Sequence, residues 1–242
     1  LEFISGPSGK RLVVHAPELF ESSHVLDLMS DDPEYRSTSL SHLRATIEHT
    51  VRIGEAWQAS GRIPLVINCG GFSSHDFDEN FTKREKEKYE RLAQAFQDLS
   101  HPDVEFMPQT MAPFPWLFGG SYFQNSFQTP DSVIYFTETY GYRFCVDVSH
   151  SYLAANYHGY DFYDAIEKYT SLVGHLHLGD AKGFRGEGMQ VGEGDIDWVR
   201  LNNILNRINS EAGFSPEVWQ GHKDNGSGFS VAFEKLQKFG LV

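Results

Sequence analysis

Apolar segments of strand length alternate with segments of helical periodicity along the whole chain, and this alternation limits the folds open to it. The predicted strands are residues 11–15, 63–69, 104–109, 142–148, 173–178 and 216–220. They are rich in Val, Ile, Leu and Phe, as expected for strands buried on both faces of a parallel sheet. Repeated strand–helix units predict an α/β fold with right-handed crossovers, either an open doubly wound sheet or a closed barrel.

Apolar residues at spacings of three and four predict the helices between these strands. The predicted helices are residues 39–59, a helix opened by the capping box Thr82–Glu85, and residues 130–140, 161–172, 196–209 and 227–239. In a capping box the first side chain and the fourth satisfy backbone amides at the helix start. We therefore expect Thr82 to be the N-cap of its helix.

Polar residues at the carboxyl ends of the strands favour a closed (β/α)8 TIM barrel, because such barrels carry their sites on this face. No glycine-rich nucleotide-binding motif follows a strand, which weakens the open-sheet alternative. Residues 1–4 lie too close to the next strand for a helical crossover, so the first β/α unit is predicted to be abbreviated or missing. We expect a single domain over residues 1–242, and the absence of an initial Met suggests a piece excised from a longer chain.

Charge and composition exclude several classes of function. The net charge of −13 repels phosphate backbones, so general nucleic-acid binding is not expected. No apolar run approaches about 18 residues, so we expect no membrane span. Cys69 and Cys145 lie in apolar runs and form no CxxC pair, which favours buried free thiols and a cytoplasmic location.

The last barrel-facing polar residue of each predicted strand forms a candidate ring at the barrel mouth. The ring consists of His15, Asn68, Gln109, Asp147, His177 and Gln220. A ring of oxygen and nitrogen ligands at the top of a barrel suits a metal or a sugar. Imidazole, carboxylate and amide oxygen suit Mn²⁺, Mg²⁺, Co²⁺ or Zn²⁺, and the sequence leaves that choice open. His175 shares a face with His177 and is expected in the layer beneath it.

Four segments together resemble the xylose isomerase-like TIM barrel superfamily, which includes sugar-phosphate isomerases and epimerases and endonuclease IV-type enzymes. They are residues 14–17 (VHAP), 145–150 (CVDVSH), 175–180 (HLHLGD) and 191–197 (VGEGDID). The resemblance implies a divalent metal held by Glu, Asp, His and Glu, with Asp147 and His177 as two of the ligands. It also implies that His150 lies close to the substrate or metal, and that Asp180 is the acid that follows the strand.

Gln109 and Gln220 stand where the resemblance implies the two glutamates, so the metal ligands it implies are Gln109, Asp147, His177 and Gln220. Glu105 and Glu217 are close by, but the alternation of a strand would turn them to the opposite face. An amide cannot act as a base, so Asp147, His150, His177 and Glu193 are the predicted catalytic residues. The predicted substrate-binding residues, taken from strand ends and loops, are His15, Asn68, His75, Trp116, Lys182, Arg185 and His222.

The leading interpretation is a metal-dependent sugar or sugar-phosphate isomerase or epimerase that removes a proton next to a carbonyl. The alternative is a catalytically degraded sugar-binding or regulatory barrel. Residues 15–20 (HAPELF), 68–72 (NCGGF) and 219–222 (WQGH) are similar to the barrel domain appended to sialic-acid-synthase-like proteins. A metal-dependent phosphodiesterase is a third interpretation. The expected partner is a small sugar or sugar phosphate, and a homo-oligomer is left open.

Overall fold

The computed structural model describes residues 11–115, 121–208 and 211–241. It divides into two compact units. The first comprises Leu1–Phe72 and Asp78–Gln109, and the second comprises Ser73–Phe77 and Thr110–Val242. The short segment predicted at residues 1–4 lies outside the described residues, as does the candidate Trp116. The predicted single domain over residues 1–242 stays a prediction.

The first unit is built on a three-stranded parallel sheet with helices beside it. Its elements are β1 (Val14–His15), α1 (Pro33–Ala56), β2 (Ile63–Ile67), β3 (Phe72–Ser73, at the boundary), α2 (Glu79–Lys83), α3 (Glu85–Asp98) and β4 (Val104–Pro108). β2 lies between β1 and β4 and pairs with both in parallel. β2 and β4 occupy two of the predicted strands, and their residues Leu65, Val66 and Met107 are fully buried.

Helix starts in the first unit depend on side-chain caps. α1 begins at Pro33, six residues before the predicted start, because the Asp32 carboxylate accepts hydrogen bonds from the backbone N–H groups of Glu34 and Tyr35. The predicted Thr82–Glu85 capping box is wrong. Thr82 lies inside α2, whose N-cap is Asp78, and α3 begins separately at Glu85.

The second unit carries a second three-stranded parallel sheet and an antiparallel hairpin. Its elements are β5 (Phe123–Gln124), α4 (Pro130–Tyr140), β6 (Phe144–Asp147), α5 (Val148–His158), α6 (Phe162–Tyr169), β7 (Val173–Leu178), β8 (Asp180–Lys182), β9 (Gly186–Met189), α7 (Trp198–Leu205), β10 (Gly213–Pro216) and α8 (Lys223–Lys238). β7 lies between β6 and β10 and is parallel to both. β8 and β9 form the hairpin. α4 and β7 match their predicted bounds.

The final predicted strand is wrong in its bounds. β10 spans Gly213–Pro216 rather than 216–220, so it ends where the prediction begins. Gln220 lies beyond the strand, exposed in a turn with φ of 57°. The apolar residues Val218 and Trp219, which produced the strand prediction, are part of that turn region.

The described residues bear on the predictions about membrane spans and about the two thiols. None of the helices in these residues is long and apolar enough to cross a membrane. Cys69 and Cys145 are buried free thiols, as the sequence predicted.

A partly buried carboxylate connects two loops of the first unit. One oxygen of Asp27 accepts hydrogen bonds from the N–H groups of Met29 (2.9 Å) and Gly71 (3.1 Å). Gly70 has φ of +100°, and a Cβ there would clash with the Asp27 carboxylate, so this close approach requires glycine. Burial raises the pKa of Asp27 to about 6.

We expect Asp27 to make the protein less stable as the pH rises through this range. The folded-state pKa lies above the ordinary value of 3.8, so the folded state holds the proton more tightly and loses this advantage between about pH 4 and 6. Asp27→Asn keeps an oxygen acceptor and removes the titration. Relative to the wild type, it should gain up to about 3 kcal/mol in free energy of unfolding between pH 4 and pH 7, measured by urea unfolding. The exposed Asp103→Asn is the control, and an equal pH dependence in wild type and Asp27→Asn would contradict the expectation.

Candidate functional site

Three side chains meet at the carboxyl ends of neighbouring strands of the second unit. Asp147 ends β6, His177 is the penultimate residue of β7, and Glu217 follows β10 directly. Asp147 and His177 are partners in the strand register. One ligand atom from each of the three residues lies within 4.8 Å of the others, so together they could hold a metal ion. We call these three residues the candidate metal cluster.

The electrostatics of the cluster are those of a buried acid–base group. His177 Nδ1 contacts a carboxylate oxygen of Glu217 and lies 3.7 Å from Asp147 Oδ2. Asp147 and His177 are buried, whereas the Glu217 side chain is 48% exposed. Burial raises the pKa of Asp147. Burial alone would raise the pKa of Glu217, but the neighbouring His177 lowers it below its usual range.

The pKa of His177 follows from the same neighbours. Burial acts to lower it, but Cys145, Glu217 and Asp147 together raise it well above the ordinary value. These acidic neighbours therefore favour positive charge in the place where a cation would sit, and a metal bound there would compete with a proton on His177.

Glu217 is the functional residue that sequence reasoning set aside. The prediction put Gln220 at the end of the last strand and turned Glu217 away from the barrel. Because β10 ends at Pro216, Glu217 stands at the strand end instead and reaches His177. The signal that could have found it is Pro216 itself, since proline has no N–H for a sheet and often ends a strand.

His150 lies beside the cluster on the first turn of α5. Asp147 is the N-cap of this helix, and its Oδ1 accepts the backbone N–H of His150 at 2.8 Å. The His150 ring lies 2.9 Å from the Thr110 carbonyl oxygen through Nδ1 and 3.0 Å from Glu187 Oε1 through Nε2. Both partners are acceptors, so both ring nitrogens donate. Despite burial, the acids Asp147 and Glu187 raise the pKa of His150 well above its ordinary value.

Asp180 organises the glycine-rich loop that follows the hairpin. It is fully buried, and its two oxygens accept from the N–H groups of Ala181 (2.8 Å), Ile196 (3.2 Å) and Gly192 (2.8 Å) and from Trp198 Nε1 (2.8 Å). A Cβ at Gly194 would clash with the same carboxylate. Glycine at position 194 is therefore required by the packing around one buried acid.

Glu193 lies in this loop, and the structure places it at the surface. Its side chain is 60% exposed and forms an ion pair of 2.9 Å with Lys235 on α8. Its predicted catalytic role stays a prediction that no contact with the candidate metal cluster supports.

Four of the predicted substrate-binding residues lie among the described residues of the second unit, and all four are exposed. Lys182 and Arg185 lie at either end of the exposed hairpin turn, and the Arg185 guanidinium lies 4.4 Å from the centre of the Phe114 ring. That cation–π contact holds the arginine over Phe114. His75 is exposed in a bend, and His222 is exposed at the start of α8.

Three further aromatic rings pack around Phe114. Phe77 lies edge-on to Phe114 and Phe123, with ring centres 5.7 Å and 5.1 Å away, and Tyr157 lies 5.2 Å from Phe114. Tyr157 is 39% exposed. This cluster has the geometry of a packed structural layer with one exposed ring.

The polar residues predicted for the first three strands belong to the first unit. His15 Nε2 lies 3.0 Å from Gln109 Oε1, which joins the ends of β1 and β4. Asn68 Nδ2 donates to a carboxylate oxygen of Glu18. Three of the predicted site residues are thus explained by contacts within this unit, and their roles toward a metal or substrate stay predictions.

A profile of the xylose isomerase-like TIM barrel family matches residues 7–238, so the chain belongs to this family and has a TIM barrel fold. No curated protein matches the sequence. Among solved structures, a D-tagatose 3-epimerase-like protein has a TM-score of 0.65 at 16% identity, covering 96% of this chain and 78% of that one. D-psicose 3-epimerase from Clostridium cellulolyticum, solved with D-tagatose, has a TM-score of 0.58 at 18% identity, covering 92% and 70%.

Endonuclease IV from Thermus thermophilus is similar to the same extent. Its TM-score is 0.59 at 16% identity, and the match covers 94% of this chain and 76% of that chain. At these identities the similarities establish the fold. The predicted TIM barrel and the predicted family are both confirmed.

We expect Asp180→Ala to destabilise the protein strongly, because it leaves four N–H donors without their acceptor. The loss in free energy of unfolding should be about 3–5 kcal/mol, measured by urea unfolding. Glu234→Ala removes an exposed carboxylate from α8 and serves as the control. A loss of less than about 1 kcal/mol for Asp180→Ala would show that water replaces the carboxylate in this loop.

Proposed function

We propose that this chain is a metal-dependent sugar isomerase or epimerase of the xylose isomerase-like family. The observation that carries the proposal is the candidate metal cluster of Asp147, His177 and Glu217 at the carboxyl ends of three adjacent strands. Barrels of this type carry their chemistry at that end of the strands. Structural neighbours that are epimerases of D-tagatose and D-psicose support a ketose-like sugar as the substrate class.

The donors of the cluster fit a divalent cation. Two carboxylates and one imidazole are ligands that Mn²⁺, Co²⁺ and Zn²⁺ accept. A divalent metal bound there would polarise a substrate carbonyl and stabilise negative charge on its oxygen. Asp147, His177 and Glu217 would hold the ion, and Asp147 is already fixed as the N-cap of α5.

The exposure of the two carboxylates indicates which of them can react with a substrate. Asp147 is the buried carboxylate of the cluster, whereas Glu217 is half exposed and is the carboxylate that a substrate can reach. We therefore assign Glu217 the removal of a proton next to the sugar carbonyl. His150 donates through both ring nitrogens and contributes positive charge beside Asp147. We assign no catalytic role to Glu193, because it pairs with Lys235 at the surface.

A sugar-binding barrel without turnover is the second candidate. The observation that favours it is Gln109, an amide where the family resemblance implies a glutamate. An amide oxygen attracts a cation less than a carboxylate does and cannot move a proton. A protein of this kind would have the same fold without catalytic activity, so a measurement of turnover distinguishes it from the enzyme.

We expect Glu217→Ala, and not Gln220→Ala, to weaken metal binding. Removing a charged ligand should lower Mn²⁺ affinity at least about 100-fold, whereas Gln220 lies in an exposed turn beyond the strand. Isothermal titration with Mn²⁺ at about pH 7.5, where carboxylate ligands are ionised, measures both variants against the wild type. The opposite order of effects would return the ligand role to Gln220.

We expect the protein with Mn²⁺ to exchange a carbon-bound hydrogen of a ketohexose with solvent. Incubation with D-tagatose or D-allulose in deuterated water should incorporate deuterium next to the carbonyl, detected by NMR. Treatment with EDTA should abolish the exchange, and Glu217→Gln should reduce it at least about 100-fold. Saturable sugar binding with no exchange would favour the binding barrel over the enzyme.

A further inference from the structure

The β8–β9 hairpin is fixed along α5 at two separate points. Near the start of the helix, the Gly188 N–H donates to Ser149 Oγ at 2.9 Å. Near its end, Asn156 Nδ2 donates to the Gly183 carbonyl oxygen at 2.9 Å. Ser149 and Asn156 are about two helical turns apart, so they lie on one face of α5. The hairpin is therefore docked on that face by contacts that do not involve Glu187.

Glu187 projects from this docked hairpin toward the candidate metal cluster. Its carboxylate accepts from His150 Nε2 at 3.0 Å, while the Thr110 carbonyl accepts from Nδ1 at 2.9 Å. The side chains of Glu187 and His150 are 17% and 6% exposed. With an acceptor at each nitrogen, the ring is held in one orientation. Its Nδ1 edge lies 3.7 Å from Asp147 Oδ2, an oxygen of the cluster.

We propose that Glu187 is a positioning residue of the candidate metal cluster: from the β8–β9 hairpin it fixes the His150 ring and, through that ring, the Asp147 carboxylate. The inference rests on the proposed function, since it gives the hairpin a part in the same site. Removing a side chain that orients a metal ligand without touching the metal commonly lowers metal affinity about 10–100-fold. Nothing in the sequence pattern indicated Glu187, because it lies on a short, glycine-rich strand.

A purely structural role for Glu187 makes a different prediction. If the carboxylate only attached the hairpin to α5, its removal would loosen the hairpin, and the Gly188 amide would exchange with solvent faster. The Gly188–Ser149 and Asn156–Gly183 bonds hold the hairpin without Glu187. We therefore expect Glu187→Ala to leave the exchange rate of the Gly188 amide unchanged.

The test compares Mn²⁺ affinity in three variants by isothermal titration. Glu187→Ala should lower the affinity about 10–100-fold. Glu187→Gln keeps an oxygen acceptor for His150 Nε2 and should recover most of that loss. Glu138→Ala removes the same charge from an exposed position on α4 and should match the wild type. Equal affinities for Glu187→Ala and the wild type, or an equal loss in Glu138→Ala, would overturn the proposal.

A second measurement needs no metal and separates this proposal from the proposed function. Diethyl pyrocarbonate modifies an imidazole nitrogen that is free of a proton and a hydrogen bond, and mass spectrometry of the peptide containing His150 reports the rate. We expect modification at least about ten times faster in Glu187→Ala than in wild type or Glu138→Ala, because Nε2 loses the carboxylate that holds a proton on it. If the wild type binds no Mn²⁺, the proposed function fails, and equal His150 rates then overturn the positioning role as well. Should Glu187→Ala not fold, Glu187→Asp, which withdraws the carboxylate by one methylene, is judged by the same two measurements.

Discussion

The candidate site depends on one buried carboxylate. Asp147 is enclosed at the end of a core strand, where an isolated charge would be strongly unfavourable. Its surroundings compensate with the backbone N–H of His150 and the His177 ring. This single residue also ends β6 and caps α5, so the strand, the helix and the proposed ligand set share one side chain. A change at Asp147 would therefore affect fold and chemistry together.

A second buried acid performs a purely architectural task close by. Asp180 satisfies four donors from the loop that follows β9 and from its own neighbour in the chain, and it does so without an imidazole partner. Both acids lie at or just beyond the ends of parallel strands, so the sequence pattern makes each of them a candidate site residue. Their partners distinguish them: N–H groups surround Asp180, whereas titratable side chains surround Asp147. Asp180 therefore organises its own loop, whereas Asp147 belongs to the candidate metal cluster.

Strand positions were predictable because buried parallel strands are continuous apolar runs. The runs containing β2, β4, β6 and β7 have few other ways to be buried, and each occurs in the structure. The last strand was misplaced because Val218 and Trp219 continue an apolar run past Pro216 into a turn. Because of that error in the strand end, Gln220 was predicted as the ligand in place of Glu217. The capping box failed for a related reason, since Asp78 starts a short helix upstream that already contains Thr82.

The sequence alone determined the class of fold, the family and two members of the candidate metal cluster. Periodicity and strand-end polarity are local properties, so Asp147 and His177 could be identified without coordinates. Only the tertiary structure decided which other side chains join them. Glu217 reaches His177 through the pairing of β10 with β7, and Glu187 reaches His150, beside the cluster, through the docking of the hairpin on α5. Such contacts depend on where an element ends and what it packs against, and a one-dimensional pattern does not record either.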